Sequence, residues 1–113
     1  MGEIRIAITD DSPAFLAAAS DYVARLPGCV IADPDAADLL LLDLGPAPAR
    51  RLDAVHAASA LPGAPVVIGM TLFYSPEAAA AARRAGAAGL IGKDAFVSGL
   101  TQVLAALFPA KAA

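Results

Sequence analysis

The chain is poor in the residues that small proteins most often use for chemistry. Its 113 residues include one cysteine, one histidine and no tryptophan, and aromatic residues make up 5%. A lone thiol, Cys29 in "PGCVIAD", can form neither an internal disulfide nor a two-cysteine metal knuckle, so a small buried hydrophobe is its expected role. His56 falls within a helical stretch with no second histidine beside it, and reads as a surface residue. No run approaches the roughly 18 uninterrupted apolar residues that cross a bilayer, which argues against a membrane span. Positive charge is also scarce: eight Lys plus Arg are spread along a chain of net charge −3. That disfavours direct nucleic-acid binding, where phosphate neutralisation needs clustered cations. A glycine-rich phosphate loop is missing as well. The first strand runs into "TDDSP", which would meet an anionic phosphate with carboxylates and so weighs against a nucleotide- or flavin-binding domain. "GAAGLIGK" imitates a Walker loop, but Ala87 stands where the first glycine belongs and Asp94 replaces the serine or threonine. The opening "MGEIRIAITDD" is acidic where a secretory signal would be basic, which points to a cytoplasmic location.

The sequence is instead rich in core. Apolar residues make up 58% and charged residues 17%, enough for one domain over residues 1–113 with a single hydrophobic core. Strand-like and helix-like stretches alternate. "EIRIAITD" places isoleucines at 4, 6 and 8. "DSPAFLAAASDYVARLPG" opens with Ser12 as N-cap and Pro13 at the first helical position. Phe15, Ala19, Tyr22, Val23 and Leu26 share one face at helical spacing, and Pro27-Gly28 ends the helix. "CVIA" and "DLLLLD" are the second and third strands. "PARRLDAVHAASALPG" is a second helix and "APVVIGMT" a fourth strand. "SPEAAAAARRAG" repeats the Ser-Pro opening and closes on Gly86. "AGLIGK" is a fifth strand. "DAFVSGLTQVLAALFP" is a last helix capped by Asp94, and "AKAA" follows as a frayed end or the start of a linker. This rhythm predicts an α/β domain with an open parallel sheet.

The rhythm breaks once. Between "CVIA" and "DLLLLD" there is only "DPDAA", whereas a parallel crossover normally takes about a dozen residues or more. Asp33-Pro34 can cap a single helical turn, but a full helix does not fit. The second crossover helix is therefore expected to be shortened or absent. Part of one sheet face would then be bare, and a bare apolar face predicts burial against a partner, such as a second copy in a homodimer.

The four leucines of "LLLLDLG" read as a strand buried on both faces, yet the strand ends in a carboxylate, Asp43. In open α/β sheets, ligands bind outside the carboxyl ends of the strands. Asp10 and Asp11 end the first strand, Thr71 the fourth and Lys93 the fifth, so three carboxylates, a hydroxyl and an ammonium are expected near Asp43. Two carboxylates about 4 Å apart repel by roughly 4 kcal/mol at an effective dielectric of 20. Lys93 offers one counter-charge, and a hard divalent cation such as Mg²⁺ offers another.

Together "ITDDSP", "ADLLLLDLGPAP", "VVIGMT" and "GAAGLIGKDA" resemble the receiver domain of two-component response regulators over essentially the whole chain. The wording "GLIGKDA" looks most like receivers joined to helix-turn-helix DNA-binding domains. The resemblance implies a flavodoxin-like (CheY-like) three-layer sandwich with a five-stranded parallel sheet of order 2-1-3-4-5. It implies a signalling domain rather than an enzyme, in which Asp43 accepts a phosphoryl group in a self-catalysed, Mg²⁺-dependent step. The phosphodonor would be a histidine kinase, a phosphotransfer protein or a small molecule. Asp10, Asp11, Asp43 and the carbonyl of Gly45 would hold the metal, Thr71 would hydrogen-bond a phosphoryl oxygen, and Lys93 would pair with it. Output would pass to a partner, a second copy or an appended DNA-binding domain. The chain departs from the family pattern at three places. Leu90 stands where an aromatic is usual, Leu72 follows Thr71 where a small residue is common and could restrict access to Asp43, and Ala47 separates Pro46 from Pro48 where a proline is expected. Leu72, Leu90 and the lost crossover helix favour a second reading, a phosphorylation-independent interaction module on the same fold, while the intact acidic set counts against it.

Overall fold

The computed structural model describes residues 3–109. Five parallel strands form one sheet: β1 (Ile4–Thr9), β2 (Cys29–Ile31), β3 (Leu39–Asp43), β4 (Val66–Thr71) and β5 (Gly89–Gly92), in the order β2-β1-β3-β4-β5. Ile6 pairs with Leu39 and Leu39 with Val66, so β3 runs between two strands, with Asp43 at its tip paired to β4 alone. Helices cover both of its faces. On one side, α1 (Pro13–Arg25) and α4 (Phe96–Leu107) pack Val23, Leu100 and Leu104 against Ile4, Ile6, Leu39, Leu41, Ile68 and Met70. On the other, α2 (Leu52–Ala60) and α3 (Pro76–Ala85) pack Val55, Ala79 and Ala82 against Ala7, Leu40 and Val67. Leu39, Leu40 and Leu41 are all buried, which accounts for a leucine run without alternation.

The local signals act as expected at both Ser-Pro openings. The Ser12 hydroxyl accepts the Phe15 N–H at 3.3 Å and Ser75 that of Ala78 at 3.0 Å, each with proline at the first helical position. Gly86 ends α3 at φ +123, where an added Cβ would also strike Ser59. Three boundaries differ from the sequence reading. The helix expected from Pro48 starts with a 3-10 turn, Pro48–Arg50, and becomes α-helical at Leu52 because Arg51 adopts φ −120. Asp94 does not cap α4: it lies inside a 3-10 turn, Lys93–Ala95, that leads into the helix without a side-chain cap. Asp33 precedes its turn but makes no capping bond with its side chain. The tail "AKAA" lies outside the described residues.

Between β2 and β3 the chain makes a single 3-10 turn, Pro34–Ala36, and no helix. The expected short crossover is present, but it bares less of the sheet than anticipated. Ala7 and Leu40 remain buried, Ala37 packs onto their cluster, and Arg5 of β1 is exposed in an ion pair with Asp38 at 3.3 Å. A cleft of about 360 Å³ bordered by Pro34, Leu40, Ala58 and Leu61 stays open.

Candidate functional site

The carboxyl ends of β1, β3, β4 and β5 deliver the polar residues to one edge of the sheet. Asp43 is the last residue of β3 and only 8% exposed. Its Oδ1 accepts the Gly45 N–H at 2.8 Å and faces the Lys93 ammonium at 3.0 Å. Gly45 sits at φ +66, a left-handed turn suited to glycine, and this brings its N–H back onto the strand's last residue. Oδ2 receives a long contact, 3.4 Å, from the Asp11 N–H. Asp10 follows β1: its Oδ1 accepts the Ser12 N–H at 2.8 Å, and its Oδ2 lies 2.7 Å from Lys93 Nζ. Apart from that ion pair, the buried Oδ2 has no hydrogen-bond partner. Lys93, directly after β5, therefore bridges two carboxylates with its own side chain only 10% exposed.

Charge and burial oppose one another here. Burial alone would raise the Asp43 carboxyl, but the Gly45 N–H, the Lys93 ammonium and the Asp11 N–H outweigh it and hold the group below the usual carboxylate value. Burial alone would lower Lys93, yet hydrogen bonds and attraction from Asp10 and Asp43 push it above the ordinary lysine value. Both groups are thus kept ionised at neutral pH.

Asp11 and Thr71 reach Asp43 or its neighbour Gly45 through other contacts. Asp11 is near, since its N–H reaches Asp43, but the residue is exposed. Thr71 is fully buried, and its hydroxyl donates to the Gly45 carbonyl at 2.8 Å while accepting the Phe73 N–H at 3.2 Å. Gly45 O also meets the Leu72 N–H at 3.4 Å. Among the described residues no three metal-ligating side chains are grouped to hold an ion. Leu90 is 6% exposed in the core beside α3, whereas Leu72 is 54% exposed, on a loop with Phe73 and Tyr74 that are also exposed. His56 is exposed on α2 and Cys29 is buried, as expected. One neighbour went unforeseen: the Phe15 ring, whose centroid lies 4.8 Å from Lys93 Nζ.

A five-stranded parallel sheet covered by helices on both faces also occurs in known structures. The signal receiver domain of a DNA-binding response regulator from Colwellia psychrerythraea 34H superposes with a TM-score of 0.67 at 18% identity, over 90% of this chain and 98% of that one. This is the receiver-domain fold. The RcsB response regulator of Salmonella typhimurium matches with a TM-score of 0.78 at 17% identity, over 95% of this chain and 60% of that chain. A response regulator from Burkholderia pseudomallei, whose structure contains a phosphorylated aspartic acid and a calcium ion, matches at 0.70 and 19% identity over 93% and 66%. No family model and no curated protein matches the sequence. Among the described residues, no helix of this receiver fold is long and apolar enough to cross a membrane.

Proposed function

We propose that the chain is a phosphoacceptor receiver in which Asp43 takes a phosphoryl group from a histidine kinase, a phosphotransfer protein or a small donor. The observation that carries this reading is the convergence of Asp10 and Asp43 on one buried ammonium, at 2.7 and 3.0 Å. A carboxylate nucleophile with cations around the transferred group is what phosphoryl transfer requires. The phosphorylated aspartate in the Burkholderia pseudomallei neighbour belongs to a domain of the same fold and supports the same chemistry.

The two oxygens of Asp43 are not equivalent. Oδ1 is engaged by Gly45 and Lys93, while Oδ2 has only the long Asp11 contact. Oδ2 is therefore the oxygen that attacks phosphorus. A bond forms from Oδ2 to phosphorus as the bond from phosphorus to the donor's leaving group breaks, and the electron pair departs with that group. Lys93 neutralises charge on the phosphoryl oxygens. Thr71 would exchange the Gly45 carbonyl for a phosphoryl oxygen, releasing the β4–α3 loop that begins at Leu72.

The donors at the site suit Mg²⁺, a hard cation bound by one or two carboxylates with water and phosphate completing its shell. Asp10, Asp11 and Asp43 would supply carboxylates, and the otherwise unpartnered buried Oδ2 of Asp10 fits that role. The Gly45 carbonyl would join them on leaving Thr71. When bound, the ion would neutralise charge on the phosphoryl group.

Incubation with acetyl phosphate and Mg²⁺ should add one phosphoryl mass to the intact protein, and Asp43→Asn should abolish the adduct. Absence of an adduct on the native chain with both small-molecule and kinase donors would remove this reading. The interaction-module reading draws support from the Thr71 hydroxyl being tied to backbone. It predicts partner binding or self-association that is unchanged in Asp43→Asn. An appended effector domain would suit either reading.

A further inference from the structure

The Lys93 ammonium has three N–H groups, and two carboxylates meet it, at 2.7 and 3.0 Å. Another side is closed by the Phe15 ring, with its centroid 4.8 Å from Nζ. That lies within the roughly 6 Å over which a ring quadrupole attracts a cation. The lysine stem has four rotatable carbons and no rigid fork, so charge attraction alone leaves it many ways to satisfy two carboxylates. A fixed aromatic face removes much of that freedom.

The ring is itself well anchored. Phe15 lies in the first turn of α1, and its N–H is the one that the Ser12 cap accepts. Its side chain meets Phe96 edge-to-face at 5.5 Å and 86°, and Phe96 in turn meets Tyr22 at 6.1 Å and 75°. Phe96 opens α4 at the end of the same 3-10 turn that begins with Lys93. The ammonium, the start of α1 and the start of α4 are thus packed as one unit.

We propose that Phe15 is a positioning residue, whose ring face holds the Lys93 ammonium at the junction of Asp10 and Asp43. A leucine at this position would fill the α1–α4 interface comparably, but only a π face attracts the charge. The contact itself is independent of phosphorylation, whereas its consequence for phosphoryl transfer rests on the function proposed above.

The test replaces Phe15 site-specifically with mono-, di- and trifluorophenylalanine, which withdraw the ring's negative face at nearly constant shape, and compares Phe15→Leu. Carbon relaxation of the Lys93 ε-methylene, measured without any phosphodonor, should show side-chain order falling stepwise with fluorination and lowest in the leucine variant. Native-like order in both the trifluoro and leucine proteins would overturn the proposal, because the carboxylates alone would then hold the lysine. With acetyl phosphate and Mg²⁺, adduct formation on Asp43 should slow by about two- to fivefold in the trifluoro protein. An unchanged rate would equally count against a positioning role, provided the native chain forms the adduct. Failure of the native chain to form it removes the proposed function, while the relaxation series still decides the role of Phe15.

Discussion

At the scale of single residues, the molecule is organised around an imbalance of charge: two buried carboxylates and one lysine. Lys93→Met leaves Asp10 and Asp43 side by side, with side chains 0% and 10% exposed and no counter-ion. Removing one partner of a buried ionic group costs about 3 kcal/mol or more, so the urea midpoint should fall sharply. Asp43→Asn leaves the lysine paired with Asp10, and its cost should be near 1 kcal/mol. An equal loss in the two variants would show that the lysine is not the keystone. The direction of the Asp43 shift gives a pH signature. Because folding lowers this carboxyl, it adds stability above its unfolded value of about 3.9, and that stability is lost as pH falls through the folded value. Acid titration of unfolding should therefore be shallower for Asp43→Asn below about pH 4 than for the native chain. Sequence alone brought Asp10, Asp43 and Lys93 together, because strand ends in a parallel sheet share an edge. It did not reveal Phe15 above the lysine, since a ring-to-cation contact between residues so far apart in the chain leaves no periodic trace. Nor did it indicate that Thr71 would rest on the Gly45 carbonyl.

The elements were legible wherever their signals were local. The two Ser-Pro caps, Gly86 and the isoleucine alternation of β1 each act within a few residues, and each element formed where that chemistry placed it. The starts of α2 and α4 were not legible. Pro48 and Asp94 carry helix-start chemistry, yet both sit in 3-10 turns that precede the α-helix. The caps provide a graded test. Ser12→Ala and Ser75→Ala should each lower stability by about 1 kcal/mol, measured by urea unfolding. Only Ser12→Ala should also loosen Lys93, since it removes the hydroxyl that accepts the Phe15 N–H while the backbone bond from Ser12 to Asp10 stays. Equal Lys93 mobility in both variants would mean that the first turn of α1 does not carry the ring.

At the scale of the whole molecule, the short β2–β3 crossover is the main departure from a sheet with a helix in every connection. Its brevity was readable by counting residues, but its consequence was not. The Pro34–Ala36 turn and the Arg5–Asp38 ion pair occupy part of this region, and a cleft stays open beside Leu61, which is 67% exposed. If that cleft is a contact surface between copies, light scattering over a concentration series should show dimer growing with concentration, and Leu61→Lys should suppress it. A monomer at every concentration would remove the contact.

The central claim is that Asp43, rather than another carboxylate of the cluster, is the nucleophile. Borohydride reduces an acyl phosphate to an alcohol, so an aspartyl phosphate becomes homoserine at the position that carried it. After treatment with acetyl phosphate and Mg²⁺, reduction and peptide mapping should find homoserine at position 43. Homoserine at position 10 or 11, or at none of the three, would contradict the account.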